Sequence, residues 1–251
     1  MDARHYEGAL KKNAGRVSER LEAYLLDPED GENVHDIRTS LRRLEAAFSL
    51  MPKKTRRKNC EQIRAYKEFF RANSRVRDCD IIRAKLGDVA ADGIDRRRKA
   101  GLKRALELAQ LVKELPAFDT RVDGKKLDAR ADKVAGRLMA SIKERLPAAL
   151  ADKREKEELH ELRKDLKKLR YVLEMLPAGS RKGHEAELAQ LVKAKGPAEA
   201  RLKELQDLIG EIHDCDITID YLKRARKGGE ILQKQAAERG ALYEKFVKAL
   251  S

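Results

Sequence analysis

The sequence contains no tryptophan, and aromatic residues make up only 4% of its 251 positions. β-Branched and aromatic residues, which favour strands, are sparse. Ala, Leu, Glu, Lys and Arg dominate, which is the composition of helices with exposed faces. Three cysteines, Cys60, Cys79 and Cys215, form no CxxC pair. Their odd number argues against a disulfide scaffold or a Cys-based zinc site, and for a reducing compartment. No stretch approaches the ~20 apolar residues of a membrane span. The opening MDARHYEGALKK lacks the apolar core of a secretory signal, so the expected location is the cytoplasm. A phosphate-cradling GxxxxGK[ST] loop, a GxSxG elbow and any recognisable Ser/His/Asp or Cys/His set are also missing. No catalytic residues, cofactor or metal are therefore expected.

What the chain does have is charge. Lys and Arg number 57 against 43 Asp and Glu, for a net charge of +14. Residues 1–125 hold 29 Lys and Arg against 21 acids, and residues 126–251 hold 28 against 22. The excess belongs to the body of the chain rather than to a tail. Such a field attracts an anionic partner and speeds its arrival.

The chain also repeats itself. VHDIRTSLRRLEAAFSLMP at 34–52 aligns with LHELRKDLKKLRYVLEMLP at 159–177, placing His35 and His160 125 residues apart. VRDCDI at 76–81 aligns with IHDCDI at 212–217, placing Asp78 and Asp214 136 apart. The second copy thus has 11 extra residues between its motifs, assigned to the Gly- and Pro-marked stretch 178–197. The expected architecture is all-α, as two pseudo-two-fold-related antiparallel four-helix bundles. Residues 1–120 would form the first half and 126–251 the second. Helices are expected at 3–26, 33–50, 54–73 and 94–115, then at 128–150, 154–176, 186–210 (broken at Gly196-Pro197) and 229–250. A polar segment carrying the Asp motif precedes the last helix of the first half. Pro52 and Pro177 stop the second helix of each copy.

At ~100° per residue, that second helix divides into two faces. Arg38 and Arg42 fall on the same side as His35, with Val34, Ile37, Leu41, Leu44 and Phe48 opposite. In the second copy His160, Arg163, Lys164, Lys167, Arg170 and Tyr171 share a face, opposite Leu159, Leu162, Leu166, Leu169 and Leu173. Like charges one turn apart cost a few tenths of a kcal/mol per pair, about 0.2–0.5, so a ridge that repeats this cost points to use. Arg gives rigid multi-donor binding of phosphate oxygens and Lys a mobile point charge. One cation per turn suits a linear polyanion. Because Arg38 and Arg163 lie opposite the leucine stripe, their replacement is expected to spare the core.

The ordered set H-x-x-R-x-x-x-R-R-L, R-D-x-D-I and H-x-x-R-K-x-x-K-x-L-R-Y, in a duplicated helical chain, resembles the CHAD family, the conserved histidine α-helical domain. The resemblance spans nearly all 251 residues. It implies two four-helix bundles with a basic channel or groove, and binding of inorganic polyphosphate, often at polyphosphate granules. It implies a ligand ridge of His35, Arg38, Arg42 and Arg43 with His160, Arg163, Lys167 and Arg170. Lys67 and Lys203, equivalent at 136 residues, are further candidates, as are Arg71 and Arg77. Where the first copy has Arg77, the second has His213, implying a weaker or pH-dependent contact there. The Glu-x-Glu-x-Lys pattern of triphosphate tunnel enzymes, often fused to this family, is absent.

Other readings compete. Asp78/Asp80 and Asp214/Asp216 could hold a divalent cation, as in a metal-dependent phosphohydrolase. The favoured reading is that they cap a helix or hold a nearby Arg. Glu32/His35 and Glu157/His160 have the Glu-x-x-His spacing of di-metal bundles, but the neighbouring arginines would repel a metal. A nucleic-acid-binding helical protein is the other rival, since phosphate contacts dominate there too. Single-strand binders stack bases on aromatics, which are few here. The run RRRKAGLKR at 96–104 reads equally as a solvated face or as an extension of the anion site. The composition is silent on oligomeric state.

Overall fold

A computed structural model of the chain describes residues 3–227 and 229–250, excepting the side chains of 89–92, 178 and 180. All regular secondary structure among the described residues is helical. The helices are α1 (Ala3–Leu26), α2 (Gly31–Leu50), α3 (Lys53–Lys58), α4 (Cys60–Leu86) and α5 (Ala91–Lys113), followed by α6 (Gly124–Ala151), α7 (Lys156–Met175), α8 (Ala178–Leu191), α9 (Ala198–Arg224) and α10 (Glu230–Leu250). The chain divides into two compact units. One comprises Met1–Val134 with Met175–Pro177, the other Ala135–Glu174 with Ala178–Ser251.

In the first unit α2 packs on α1 and α4, and α4 on α5. The apolar stripe of α2 is fully engaged: Val34, Ile37, Leu41, Leu44 and Phe48 are all buried. They meet Tyr6, Leu10, Val17 and Leu21 of α1 and Phe69 and Val76 of α4 in the unit's core. Each such side chain contributes about 1.5–3 kcal/mol on burial. The Tyr6 hydroxyl donates to the Ala47 carbonyl at 2.9 Å, so this buried ring keeps its polar end satisfied. Asp30 caps α2 by accepting from the Glu32 N–H at 2.9 Å. Pro52, with its fixed φ and no N–H, follows the end of α2 and precedes α3.

The connection after α5 is pinned from an unexpected place. Asn59, fully buried between α3 and α4, donates to the Asp119 carbonyl at 3.0 Å and accepts from the Asp119 N–H at 2.9 Å. One side chain thereby satisfies both backbone groups of a loop residue.

In the second unit α9 packs on α8 and α10. Leu159, Leu162, Leu166, Leu169 and Leu173 of α7 are buried, as are Leu202, Leu205, Ile209 and Ile212 of α9. The Gln206 amide donates to the Leu166 carbonyl at 2.9 Å, tying α9 to α7. The Tyr243 hydroxyl ties α10 to the Ala149 carbonyl of α6 at 3.1 Å.

Two expectations change. The Asp motifs do not lie in polar segments between helices. Asp78 and Asp80 are inside α4, and Asp214 and Asp216 inside α9, so none of them caps a helix start. Both helices continue because Val76, Cys79, Ile82 and Leu86, and likewise Ile212, Cys215, Ile219 and Leu222, keep an apolar face buried at spacings of three and four. Gly87, with φ +54, ends α4 in the left-handed region that favours glycine. The expected helix 54–73 is also two helices, α3 and α4, meeting at Asn59. The extra residues of the second copy are visible as α8, 14 residues long where α3 has 6.

Candidate functional site

The basic ridge of the first unit lies on α2 and is completed by α4. His35 is exposed, Arg42 and Arg43 are half-buried, and Arg38 retains only 8% of its accessible surface. Phe70 of α4 forms a shared platform. The Arg38 guanidinium lies 5.2 Å from its ring centroid and that of Arg42 5.7 Å. Cation–π contacts of this kind contribute about 0.5–1 kcal/mol at exposed sites and more when desolvated. They also hold two neighbouring positive charges at fixed places. Arg77 and Lys67 of α4 are half-buried and Arg71 is exposed. Arg77 lies close enough to His35 to act on its titration: desolvation is the largest cause of that imidazole's lowered pKa, and the Arg77 charge is next.

Arg38 corrects one expectation. It lies opposite the leucine stripe in sequence, yet the neighbouring α4 covers it, so its replacement would disturb packing as well as charge.

In the second unit the ridge lies on α7. Lys164 is exposed, and His160, Arg163, Lys167 and Arg170 are half-buried. Lys164 pairs with Glu161 at 2.5 Å. Arg170 lies over the Tyr171 ring at 4.8 Å, donates to the Tyr171 hydroxyl at 3.1 Å and approaches Glu174 at 3.7 Å. Tyr171, placed in the ligand ridge by its sequence position, is only 4% exposed. It supports Arg170 from below rather than presenting itself to solvent. Lys203 of α9 is exposed. Where the first unit has Phe70 under Arg38, the second has Gln206 at the matching position. There, the Arg163 Nε lies 4.0 Å from where a Cβ on Gly210 of α9 would be.

His213 takes the place of Arg77 and meets the ridge histidine directly. The His160 and His213 rings are 4.9 Å apart between centroids, with their Nδ1 atoms 3.4 Å apart. Desolvation again lowers the His160 pKa, followed by the charges of Lys164 and Arg163. The two rings are tilted by 39° to one another.

Behind each ridge sits a strap that periodicity does not reveal. Arg98 of α5 donates to Asp80 at 2.6 Å, to the Glu29 carboxylate, and to the Glu29 carbonyl at 2.8 Å. Arg239 of α10 donates to Asp216 at 2.6 and 3.3 Å and to the Lys153 carbonyl at 2.7 Å. In each unit the second Asp of the D-C-D motif holds an arginine from the last helix. That arginine grips the backbone just before the ridge helix, fixing where the ridge begins. This bears out the arginine-holding reading of Asp80 and Asp216. It also divides the run 96–104: Arg98 is strapped inward, while Arg96, Arg97, Lys99, Lys103 and Arg104 are exposed. Among the described residues, no group of three His, Cys, Asp or Glu side chains is placed to hold a metal ion. The cysteines are all thiols, Cys60 exposed and Cys79 and Cys215 buried.

The sequence model of the CHAD domain matches residues 8–223. The chain belongs to the CHAD domain family. This family is associated with polyphosphate-related proteins. The matched stretch contains both ridge helices and both Asp motifs, and ends before α10, which supplies Arg239. Among solved structures, the crystal structure of the CHAD domain from the plant Ricinus communis superposes with a TM-score of 0.57 at 16% identity, covering 99% of this chain and 91% of that one. PptA from Streptomyces chartreusis gives a TM-score of 0.49 at 17% identity, covering 99% and 94%. At 16% identity the Ricinus likeness speaks to the CHAD fold alone. A comparison with curated proteins finds no match. Among the described residues of this CHAD domain, no helix is long and apolar enough to cross a membrane.

Proposed function

We propose that this CHAD domain binds inorganic polyphosphate, without catalysis, through the cationic ridges of α2 and α7. The observation that carries the reading is the duplicated split of these helices. In each, every leucine-stripe side chain is buried, and the other face carries a histidine followed by arginines, joined in α7 by lysines, at helical spacing. Charge held this way, on a rigid helix and backed by Phe70 or Tyr171, suits the regularly spaced anions of a phosphate polymer. His35, Arg42, Arg43, Lys67, Arg71 and Arg77 serve in the first unit, with Arg38 beneath them. His160, Arg163, Lys164, Lys167, Arg170 and Lys203 serve in the second. Two ridges on one chain can engage one polymer, and linked contacts raise affinity without new chemistry. Recruitment to polyphosphate granules in the cytoplasm would follow from such binding.

The test is competition. Labelled long-chain polyphosphate is displaced by unlabelled polyphosphate, DNA, RNA or triphosphate, while orthophosphate release is followed with and without a chelator. The reading expects displacement by polyphosphate at far lower phosphate concentration than by the others, and no release. Equal displacement by nucleic acid would favour a general phosphate-backbone binder. Chelator-sensitive release would favour a hydrolase.

A further inference from the structure

Between α8 and α9 the second unit forms a cationic cavity. Beyond α8 the chain turns at Lys193, whose backbone lies in the left-handed region at φ 48. It then runs through Lys195, Gly196 and Pro197 into α9. This turn, Arg201 and Glu204 of α9, and Lys248 near the end of α10 line an open cavity of about 540 Å³. Four cations meet one carboxylate there.

The cavity has an anchor. Arg201 is the least exposed of its cations, at 19%. Its Nε donates to the Val192 carbonyl at 3.3 Å and its Nη1 pairs with Glu204 at 2.5 Å. A guanidinium has five N–H donors, so it can make both contacts and still serve a further acceptor. Lys193, Lys195 and Lys248 are exposed and add point charges around that fixed group. The turn closes α8, with the Ala194 N–H donating to the Ala189 carbonyl at 2.8 Å and the Lys193 N–H to the Gln190 carbonyl at 3.3 Å, and it places Lys193 in the cavity lining.

The cavity is separate from the ridge. Along α9, at ~100° per residue, Arg201 and Glu204 are neighbours. Lys203, Gln206, Gly210 and His213, which carry or meet the ridge, lie roughly 130–170° away on that wheel.

We propose that this cavity is a second anion site, for a compact molecule bearing two or three clustered phosphate groups. Several point charges around one rigid guanidinium match a small, highly charged ligand better than an extended polymer. The site stands independently of the ridge reading.

Isothermal titration calorimetry with tripolyphosphate tests it, on the full chain carrying Arg42→Glu and Lys167→Glu to silence the ridges. Binding is expected to persist in this background and to weaken tenfold or more when Lys195→Glu and Lys248→Glu are added. Both of these lysines are exposed, and an unchanged helical melting curve verifies the fold. In the same background, Lys182→Glu on the exposed surface of α8 is expected to change affinity less than threefold. Loss of all binding in the ridge variant would overturn the proposal. So would indifference to the Lys195/Lys248 change, or an equal loss on changing Lys182.

Discussion

Replacing Asp216 by alanine would leave the Arg239 guanidinium with its deepest partner gone. Arg239 is 8% exposed and Asp216 9%, so the pair is largely out of water. Breaking such a pair from one side typically costs about 3–5 kcal/mol, because the remaining charge is buried without compensation. Arg239 keeps its bond to the Lys153 carbonyl, and Lys156, 3.3 Å from Asp216, retains Asp220 at 3.2 Å. These residual contacts place the loss at the lower end, about 3 kcal/mol. For a chain of this length that corresponds to a fall of about 6–12 °C in melting temperature. Asp80→Ala should cost less, since Arg98 keeps the Glu29 carboxylate as well as its carbonyl. Adding Arg239→Met to Asp216→Ala should recover part of the loss by removing the orphaned charge. Thermal unfolding followed by circular dichroism measures all three variants against the unaltered chain. A loss under about 0.5 kcal/mol for Asp216→Ala, the level of an ordinary surface change, would refute the strap. A loss smaller than that of Asp80→Ala, or no recovery when Arg239→Met is added, would do the same.

Two further outcomes follow from the ridges. The folded-state pKa values of His35 and His160 are lowered, so the folded chain binds fewer protons than the unfolded one just below the ordinary histidine value of about 6.5. Their contribution to stability is therefore intact above that pH and declines as pH falls through it. A bound polyanion favours the charged imidazoles, so polyphosphate affinity should rise from about pH 8 to about pH 6, and His35→Gln with His160→Gln should flatten the rise in a fluorescence binding titration. Phe70→Leu removes the platform under Arg38 and Arg42 but keeps an apolar side chain. The loss of two cation–π contacts, each about 0.5–1 kcal/mol or more, should lower the melting temperature by a few degrees, about 2–4 °C per kcal/mol. Polyphosphate binding should weaken several-fold because the two guanidinium groups are no longer held in place; unchanged affinity would assign Phe70 to packing alone.

The ridges were legible because their information is local. His35, Arg42, His160 and Lys167 repeat at helical spacing against a leucine stripe, and the two copies corroborate each other. Pro52 and Pro177 marked the helix ends for the same reason. The course of α4 and α9 through the Asp motifs was less visible, because Arg77, Asp78 and Asp80 give that stretch a polar look. The signal was present in Val76, Cys79, Ile82 and Leu86, whose spacing continues the buried face. The straps were out of reach. Asp80 with Arg98, and Asp216 with Arg239, are pairs distant along the chain that no periodicity connects. The burial of Arg38 and Tyr171 likewise depends on which helix lies alongside, a property of packing rather than of spacing. Asn59, a polar residue between two basic stretches, gave no hint that it would hold the 118–121 connection.

The central claim is tested most directly by the affinity of long-chain polyphosphate for Arg42→Glu/Lys167→Glu beside that for Lys113→Glu. Arg42 and Lys167 are half-buried ridge residues, one in each unit, and Lys113 is exposed on α5, outside the ridge helices. A charge-assisted hydrogen bond contributes about 1.5–3 kcal/mol, and reversal replaces attraction by repulsion. The double ridge variant should therefore lose two or more decades of affinity, while Lys113→Glu should lose less than threefold. If the single changes Arg42→Glu and Lys113→Glu, both shown to be folded, gave matching binding curves, affinity would track net charge alone, and the ridges would not be the site.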